Sequence, residues 1–416
     1  MNVVKANAKK ATGKAADQAD VVIAGAGLVG LALAAALAGG GLDVVLFDPQ
    51  LDRPMGDPRA STVSAGSRRL LEALGVWEEV AAQAEPVHEM RITDSRLDHV
   101  LRPVFLTLAG EVDDGAPFAH VVENAILHCA LRAAVEARGV RLVAEAIRTV
   151  TPGPGAAEIE AGPGLSLPAP LVIAADGARS RIRERLGIRS RGWTYDQASL
   201  VTTVAHTEPH HGAAVQHFLE GGPFALLPMP GNRSYVVWSE TRAEAERIAA
   251  LSDDDFLGEL AVRAGAEFGG LSLAGPRGMR PLGLRIAERF IAPRGALVGD
   301  AAHAIHPIAG QGVNLGFRDV AALAEVVLDA ARLGLDTGSV DVLRRYEEWR
   351  RFDTALMVAA TDGLLKLFRV QGGAARAVRD VGLGLVDRAT PVKAALIRSA
   401  AGLEGRLPRL MRGEAL

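Results

Sequence analysis

The stretch Val21-Val22-Ile23-Ala24-Gly25-Ala26-Gly27-Leu28-Val29-Gly30 decides how this chain folds. Four apolar residues in a row, with no polar alternation, fit a parallel strand buried on both faces. Each of the three glycines that follow has a steric task. The first permits a tight turn, the second lets a ligand approach the backbone, and the third allows close helix–strand packing. An Ala/Leu-rich helix continues to about Leu37, and a second apolar strand, Val44-Val45-Leu46-Phe47, ends at Asp48. This is a βαβ unit, and an acid at the tip of its second strand can accept hydrogen bonds from a ribose. The pattern predicts a dinucleotide site on Gly25, Gly27, Gly30 and Asp48. By itself it does not choose between NAD and FAD.

A second nucleotide-style element lies far downstream. The apolar run Ala296-Leu297-Val298 ends in Gly299-Asp300, a bend rich in Pro and Gly follows (Pro307, Gly310, Gly312), and a helix opens at about Val313. A carboxylate at a strand tip can accept hydrogen bonds from a sugar alcohol chain. The free N–H groups of a helix start can receive an electron-rich oxygen. The two elements together suggest one large cofactor held from both ends. Between them, Ala175-Asp176-Gly177-Ala178-Arg179-Ser180 follows the apolar run Leu171–Ala174.

Bulk properties set the frame. At 416 residues, two domains are a fair expectation. With 49% hydrophobic and 23% charged residues the composition is globular, and a net charge of −3 argues against a nucleic-acid binder. The single cysteine, Cys129, excludes a disulfide framework within one chain and reads as a small buried residue. Residues 1–19 carry four lysines and no apolar core for a signal peptide, so a disordered basic leader and a cytoplasmic protein are expected.

Further buried strands are predicted at Val140–Ala144, Leu171–Ala175 and Ala296–Val298, with a helix at about Ala125–Arg138. The middle reads differently. Short strand-like runs at Leu200–Ala205, Ala214–Phe218, Phe224–Leu227 and Ser234–Trp238, divided by Gly/Pro turns, suggest an inserted antiparallel sheet. The expected fold is α/β, a Rossmann-like dinucleotide-binding domain in pieces (20–84, 119–184 and 281–345) with an inserted antiparallel β-sheet domain (85–118 and 185–280). Residues 346–416 form an expected C-terminal helical region. From Lys366 to the end there are ten Lys/Arg against four Asp/Glu among apolar residues. Such a segment can lie on an anionic membrane or hold a partner, or simply pack on the body with a solvated basic face.

The three fingerprints, Gly25-x-Gly27-x-x-Gly30, Asp176-Gly177 and Gly299-Asp300, resemble in this order those of the single-component FAD-dependent aromatic hydroxylases. Within that group, several strings are similar to the ubiquinone-biosynthesis hydroxylases: Asp57-Pro58-Arg59-Ala60, Val122-Glu123-Asn124, Phe224-Ala225-Leu226-Leu227-Pro228 with Val237-Trp238, and His303 through Gly316. The resemblance runs from about Asp20 to the C-terminus.

That resemblance implies FAD as cofactor, NAD(P)H or a ferredoxin system as electron donor, and O₂ as co-substrate. Asp300 would bind the ribityl chain, and the backbone N–H groups of Val313 and Asn314 would face the flavin pyrimidine edge. Arg59 would sit near the flavin and its phosphates, Asn124 or Glu123 near the adenosine, and Asp176-Gly177 near the pyrophosphate. Gly299 and Gly312 belong to the same cradle. Pro307, Gly310 and Gln311 would form the pocket beside the flavin, and Phe224, Leu226 and Pro228 would face the substrate. No base is identifiable. The implied reaction hydroxylates the ring of a polyprenylated phenol through a flavin C4a-hydroperoxide, with partners in a ubiquinone-biosynthesis complex and peripheral contact at the inner face of the membrane. A flavin-binding scaffold subunit and a hydroxylase of soluble aromatics stand as alternatives; the latter would need an anchor for a carboxylate, and the middle region offers no obvious one.

His303 and His306 are spaced for one helix face, yet Pro307 and the lack of a third ligand argue against a metal. His210-His211 reads as surface.

Overall fold

The computed structural model describes residues 18–53, 57–94, 97, 104–112, 115–305, 311–369, 384 and 386–416. The leader to residue 17 therefore lies outside the described residues, as do His306, Pro307, Gly310 and residues 370–383.

The glycine-rich turn sits at the centre of a six-stranded sheet. Its strand order is Ile291–Ala292, Gly295–Leu297, Leu171–Ala174, Val21–Ala24, Val44–Phe47, Arg141–Val143. Val21–Ala24 pairs in parallel with both neighbours, Val21 opposite Leu171 and Val44. Its four side chains are fully or nearly fully buried, as an unalternated apolar run requires. The helices Leu28–Gly39, Asn124–Ala137 and Gln311–Arg332 pack together over this sheet. Within Asn124–Ala137 the residues Leu127, Leu131 and Val135 turn inward, while Cys129 lies off that stripe and is exposed, not buried.

The second sheet has nine strands. From Leu106–Ala109 it runs through Glu89–Asp94, Ala213–Phe218, Pro223–Met229, Arg233–Thr241, Ser190–His206 and Gly278–Ala287 to His303–Ala304, with Leu271–Leu273 beside Ser190–His206. It is antiparallel except where Ala213–Phe218 runs parallel to Glu89–Asp94. His303–Ala304 pairs with Arg285 and Ile286 of this sheet, directly after the Gly299-Asp300 turn, and so ties the two sheets together at the site. A three-stranded meander, Ile147–Pro152, Ala157–Ala161 and Leu165–Ala169, lies in a stretch where no strand is expected from the sequence. The charged stretch after Thr241 divides into two helices, Arg242–Ala249 and Asp253–Ala264.

Alternation decides what each face of the nine-stranded sheet touches. Phe224 and Leu226 pack with Val236, Trp238, Phe256 and Leu260 under the two charged helices. Val201, Leu227 and Tyr235 point the other way, into a separate cluster.

The C-terminal segment folds back on the body. Gly66 donates to the Ala401 carbonyl at 2.9 Å, Leu410 and Met411 are buried, and Arg409 pairs with Glu325 and Asp329. Trp349 Nε1 donates to the Arg406 carbonyl at 2.9 Å. Among the described residues no helix is long and apolar enough to cross a membrane.

Candidate active site

Three motifs distant in sequence meet at the turn after the first strand. Gly25 has φ +108°, and a Cβ on it would lie 2.3 Å from the Ala175 carbonyl oxygen and 2.9 Å from Asp176 N. A Cβ on Gly30 would fall 1.9 Å from the Gly25 carbonyl oxygen. On the other flank, Cβ atoms on Gly299 and Gly316 would press on Val29, at 3.2 Å and 2.5 Å. These glycines are steric requirements of the protein's own packing. Gly27 is different: nothing lies within 4 Å of its Cβ position, and the helix Leu28–Gly39 that it begins has no side-chain cap. An open approach to uncapped N–H groups fits a pyrophosphate.

Asp48 closes this end. Its Oδ2 accepts the Ala26 N–H at 2.8 Å and its Oδ1 the Gln50 N–H at 2.7 Å. His128 donates from Nε2 to the Ala26 carbonyl at 3.0 Å, a contact the sequence reading missed. The signal available for it was spacing: His128 lies one helical turn after Asn124. Asp176 caps the short helix Arg181–Arg185, with its Oδ2 accepting N–H groups of Arg181 and Ile182 at 2.8 and 3.2 Å. Its carboxylate is thus engaged by the protein, and its backbone is what meets Gly25.

Residues expected beside the flavin border a cavity of about 850 Å³. Arg59, Asn124, Asp300, Gly312 and Val313 all line it, together with Ser199, Val201, Leu227, Tyr235 and Val237 of the second sheet. Arg59 grips Asp57 bidentately, at 2.8 Å from Nε and 2.7 Å from NH2. Burial alone would push the Asp57 carboxyl up, but the Arg59 bonds outweigh it and hold it below the usual range. Asn124 joins this group, its Nδ2 donating to Asp57 at 3.1 Å and its Oδ1 accepting from Ser61 at 2.6 Å. The structure thereby places Asn124 on the cavity with Asp300 and Val313, whereas the expectation put it near the adenosine. Asp300 stands open to the cavity yet is ringed by protein. Desolvation pushes its carboxyl up, against the opposing pull of His303 and Arg59.

The helix start is fixed from behind. Asn314 Nδ2 donates to the Thr62 carbonyl at 2.7 Å, and its Oδ1 accepts the Ser64 N–H at 3.0 Å. Its side chain is a strut, which leaves only its backbone for a ligand. Asp319, two turns into the helix Gln311–Arg332, was given no role by sequence. It is fully buried, and its Oδ2 accepts from Gly299 N at 2.9 Å and from His303 Nε2 at 2.6 Å. Its Oδ1 accepts from Arg350 Nε at 2.8 Å. Burial would raise the Asp319 carboxyl, but His303 and Arg350 beside it hold it below its ordinary value. His303 is thereby a structural partner of Asp319, and among the described residues no group of His, Cys, Asp and Glu is placed to hold a metal.

Two expectations are corrected. Phe224 and Leu226 do not border the cavity. With Pro228, which continues their face by alternation, they lie one residue out of phase with Leu227, which does border it. His210 is buried, its Nε2 lying 2.9 Å from the carbonyls of both Met229 and Gly231. Of the pocket expected beside the flavin, only Gln311 is described, as the first residue of the helix Gln311–Arg332; its side chain and Pro307 and Gly310 lie outside the described residues.

Comparison with known proteins agrees with this geometry. The model of the FAD binding domain family matches residues 18–361. Ubiquinone hydroxylase UbiL of Rhodospirillum rubrum is 41% identical, over 97% of this chain and 95% of its own. The 3-demethoxyubiquinol 3-hydroxylase of Escherichia coli is 33% identical, over 92% and 98%. Among solved structures, p-nitrophenol 4-monooxygenase PnpA of Pseudomonas putida superposes with a TM-score of 0.78 at 21% identity, covering 94% of this chain and 99% of that one, which speaks for the fold. The chain belongs to the FAD-dependent aromatic-ring hydroxylases, in the family of ubiquinone-biosynthesis hydroxylases.

Proposed function

We propose that this enzyme hydroxylates the aromatic ring of a polyprenylated phenol, with electrons from NAD(P)H or a ferredoxin-type donor and oxygen from O₂. The observation that carries the reading is one cavity with two unlike walls. Asp300, Gly312, Val313 and Arg59 supply a flavin-side wall, and Val201, Leu227 and Val237 supply an apolar wall suited to an oily ring. Residues 20–84, 119–184 and 281–345 are proposed to hold the cofactor, and the nine-stranded sheet to hold the substrate.

Bound FAD would supply the reductive activation of O₂ and deliver one oxygen atom to the ring. The chain's own residues bind and orient. Uncapped N–H groups after Gly27 would receive the pyrophosphate, Asp48 the ribose and Asp300 the ribityl hydroxyls. The start of the helix Gln311–Arg332 would stabilise negative charge on the reduced ring through its dipole. Tyr235 borders the cavity, and burial pushes its phenol well above the ordinary value, so it stays neutral and serves as a donor but not as a base. Among the described lining residues Asp300 is the single carboxylate and there is no histidine. The apolar wall would exclude water and hold the ring near the flavin.

The test is expression in strains each lacking one quinone-ring hydroxylase, followed by mass spectrometry of the accumulated prenylphenols. Restoration of one step or more is expected, and restoration of none rejects the assignment.

A further inference from the structure

The apolar wall of the cavity is flanked by an arginine and a serine that the protein itself leaves unused. In the pairing of Gly278–Ala287 with Ser190–His206, Arg280 stands opposite Ser199 and Gly278 opposite Val201. Directly opposed residues share a face, so Arg280 and Ser199 lie beside Val201 on the cavity side, which all three border. Leu200 and Met279, one residue out of phase, belong to the other face. Arg280 has no hydrogen bond or ion pair among the described residues. Its guanidinium draws the Tyr235 phenol down, against the stronger push of burial. Ser199 is 4% exposed, and its hydroxyl is buried without a hydrogen-bond partner among the described residues. The other arginines of the cavity are placed differently. Arg59 is held bidentately by Asp57, and Arg191 bonds Glu288. Arg285 acts on Arg183 beside Asp176, and Arg179 follows Asp176 in the same turn, at the proposed pyrophosphate end.

We propose that Arg280, with the Ser199 hydroxyl, binds the ring oxygen of the substrate as the phenolate, so that the phenol ionises without a protein base. The inference rests on the reading that this cavity receives a phenol. In the step the O–H bond breaks and the proton passes to water, which reaches Arg280 on its exposed side. The electron pair stays on the oxygen, and its charge pairs with the guanidinium; the ring is neither oxidised nor reduced. A guanidinium in contact lowers the pKa of an acid by about 1–3 units. The ionised oxygen enriches the ring carbons ortho and para to it in electrons, as transfer of an oxygen atom to the ring requires. Ser199 gains the partner it lacks, since a turn of χ1 to another staggered well lets its hydroxyl donate to the same oxygen. This accounts for a cavity whose one described carboxylate, Asp300, is proposed to bind the ribityl chain and whose Tyr235 stays protonated.

The experiment uses the full-length, FAD-loaded protein without an electron donor, so that no turnover occurs. The probe is a 4-nitrophenol bearing an alkyl chain beside its hydroxyl group; its phenolate is coloured and is followed by difference spectra across pH. The bound probe should ionise about one pH unit below the free probe. In Arg280→Gln that shift should vanish, with about tenfold weaker binding of the phenolate form. Arg280→Lys should restore most of the shift, and Ser199→Ala should lose part of it. The methyl ether of the probe, which cannot ionise, should bind the parent and all variants alike. FAD content and melting temperature report that each variant is folded. A bound probe that ionises no lower than the free one, or an equal shift in Arg280→Gln, overturns the proposal. So does loss of FAD or of methyl ether binding in Arg280→Gln, which would assign the side chain to the cofactor or to packing. Tighter binding of the matching alkylbenzoate than of the phenolate overturns it as well, by assigning the cation to a carboxylate. If the parent binds neither the phenol nor its ether, the reading of the cavity as a phenol site fails; binding without the shift defeats only the role given to Arg280.

Discussion

At the scale of single residues, glycines of one motif do different work. Gly27 has no protein atom within 4 Å of its Cβ position, and its φ of −72° is one that any residue adopts. Gly27→Ala should therefore leave the melting temperature of the apoprotein almost unchanged while lowering FAD affinity at least about tenfold, because only the cofactor meets the new methyl. Gly30→Ala drives its methyl into the Gly25 carbonyl and should lower the apoprotein's stability as well. Equal apoprotein melting losses in the two variants would contradict this division. His120 gives a pH prediction. It packs edge-on to Trp77 at 5.1 Å, and burial pushes its imidazole down to about 4 from an ordinary 6.5. The folded state thus binds fewer protons than the unfolded chain between those values. The contribution to stability is complete above pH 6.5 and is lost as pH falls toward 4. Melting curves across that interval should fall less steeply for His120→Phe than for the parent.

At the scale of elements, strand phase and one buried charge cluster matter most. The apolar run Phe224–Leu227 announces a strand but not which side faces the cavity, since both faces are apolar and both are buried. Phe224 is fully buried against Trp238 and Trp238 against Phe256, so Phe224→Ala should cost about 3–5 kcal/mol of stability with little change in KM. Leu227→Ala should instead raise KM for the phenol. A reversed pattern in steady-state kinetics and melting would return the cavity to the other face. Asp319 binds the helix Gln311–Arg332 to the Gly299-Asp300 turn, and through Arg350 to the helix Val340–Arg369. Removing it takes one of two carboxylate partners from the buried Arg350, Asp353 remaining at 2.7 Å, and should lower stability. Asp319→Asn should weaken FAD binding more than Leu323→Ala, a core truncation in the same helix, does at equal loss of melting temperature. Equal effects on FAD titration would reduce Asp319 to ordinary packing.

At the scale of the whole molecule, the terminal segment is part of the fold. Leu410 and Met411 are buried, and the Met411 side chain approaches Gly66 so closely that a Cβ there would lie 2.8 Å from its Cε. Truncation after Ala400 should expose this surface, lower the melting temperature and reduce FAD retention together. A truncated protein that melts and holds FAD like the parent would show the segment to be an appendage.

The sequence by itself determined the strand–turn–helix units, the three glycine fingerprints and the FAD they imply. Those signals are local: unbroken apolar runs, glycines at fixed spacing and an acid at a strand tip are each read within a few residues. It also announced the inserted sheet through its Gly/Pro turns. Only the tertiary structure decided which face of Pro223–Met229 meets the cavity, that Asn124 joins Arg59 beside Asp300, and that Asp319 and Arg350 hold the Gly299-Asp300 turn. It alone gathered Arg59, Arg179, Arg191, Arg280 and Arg285 at one cavity. These depend on pairing and packing between segments tens to hundreds of residues apart, and no local propensity carries that information.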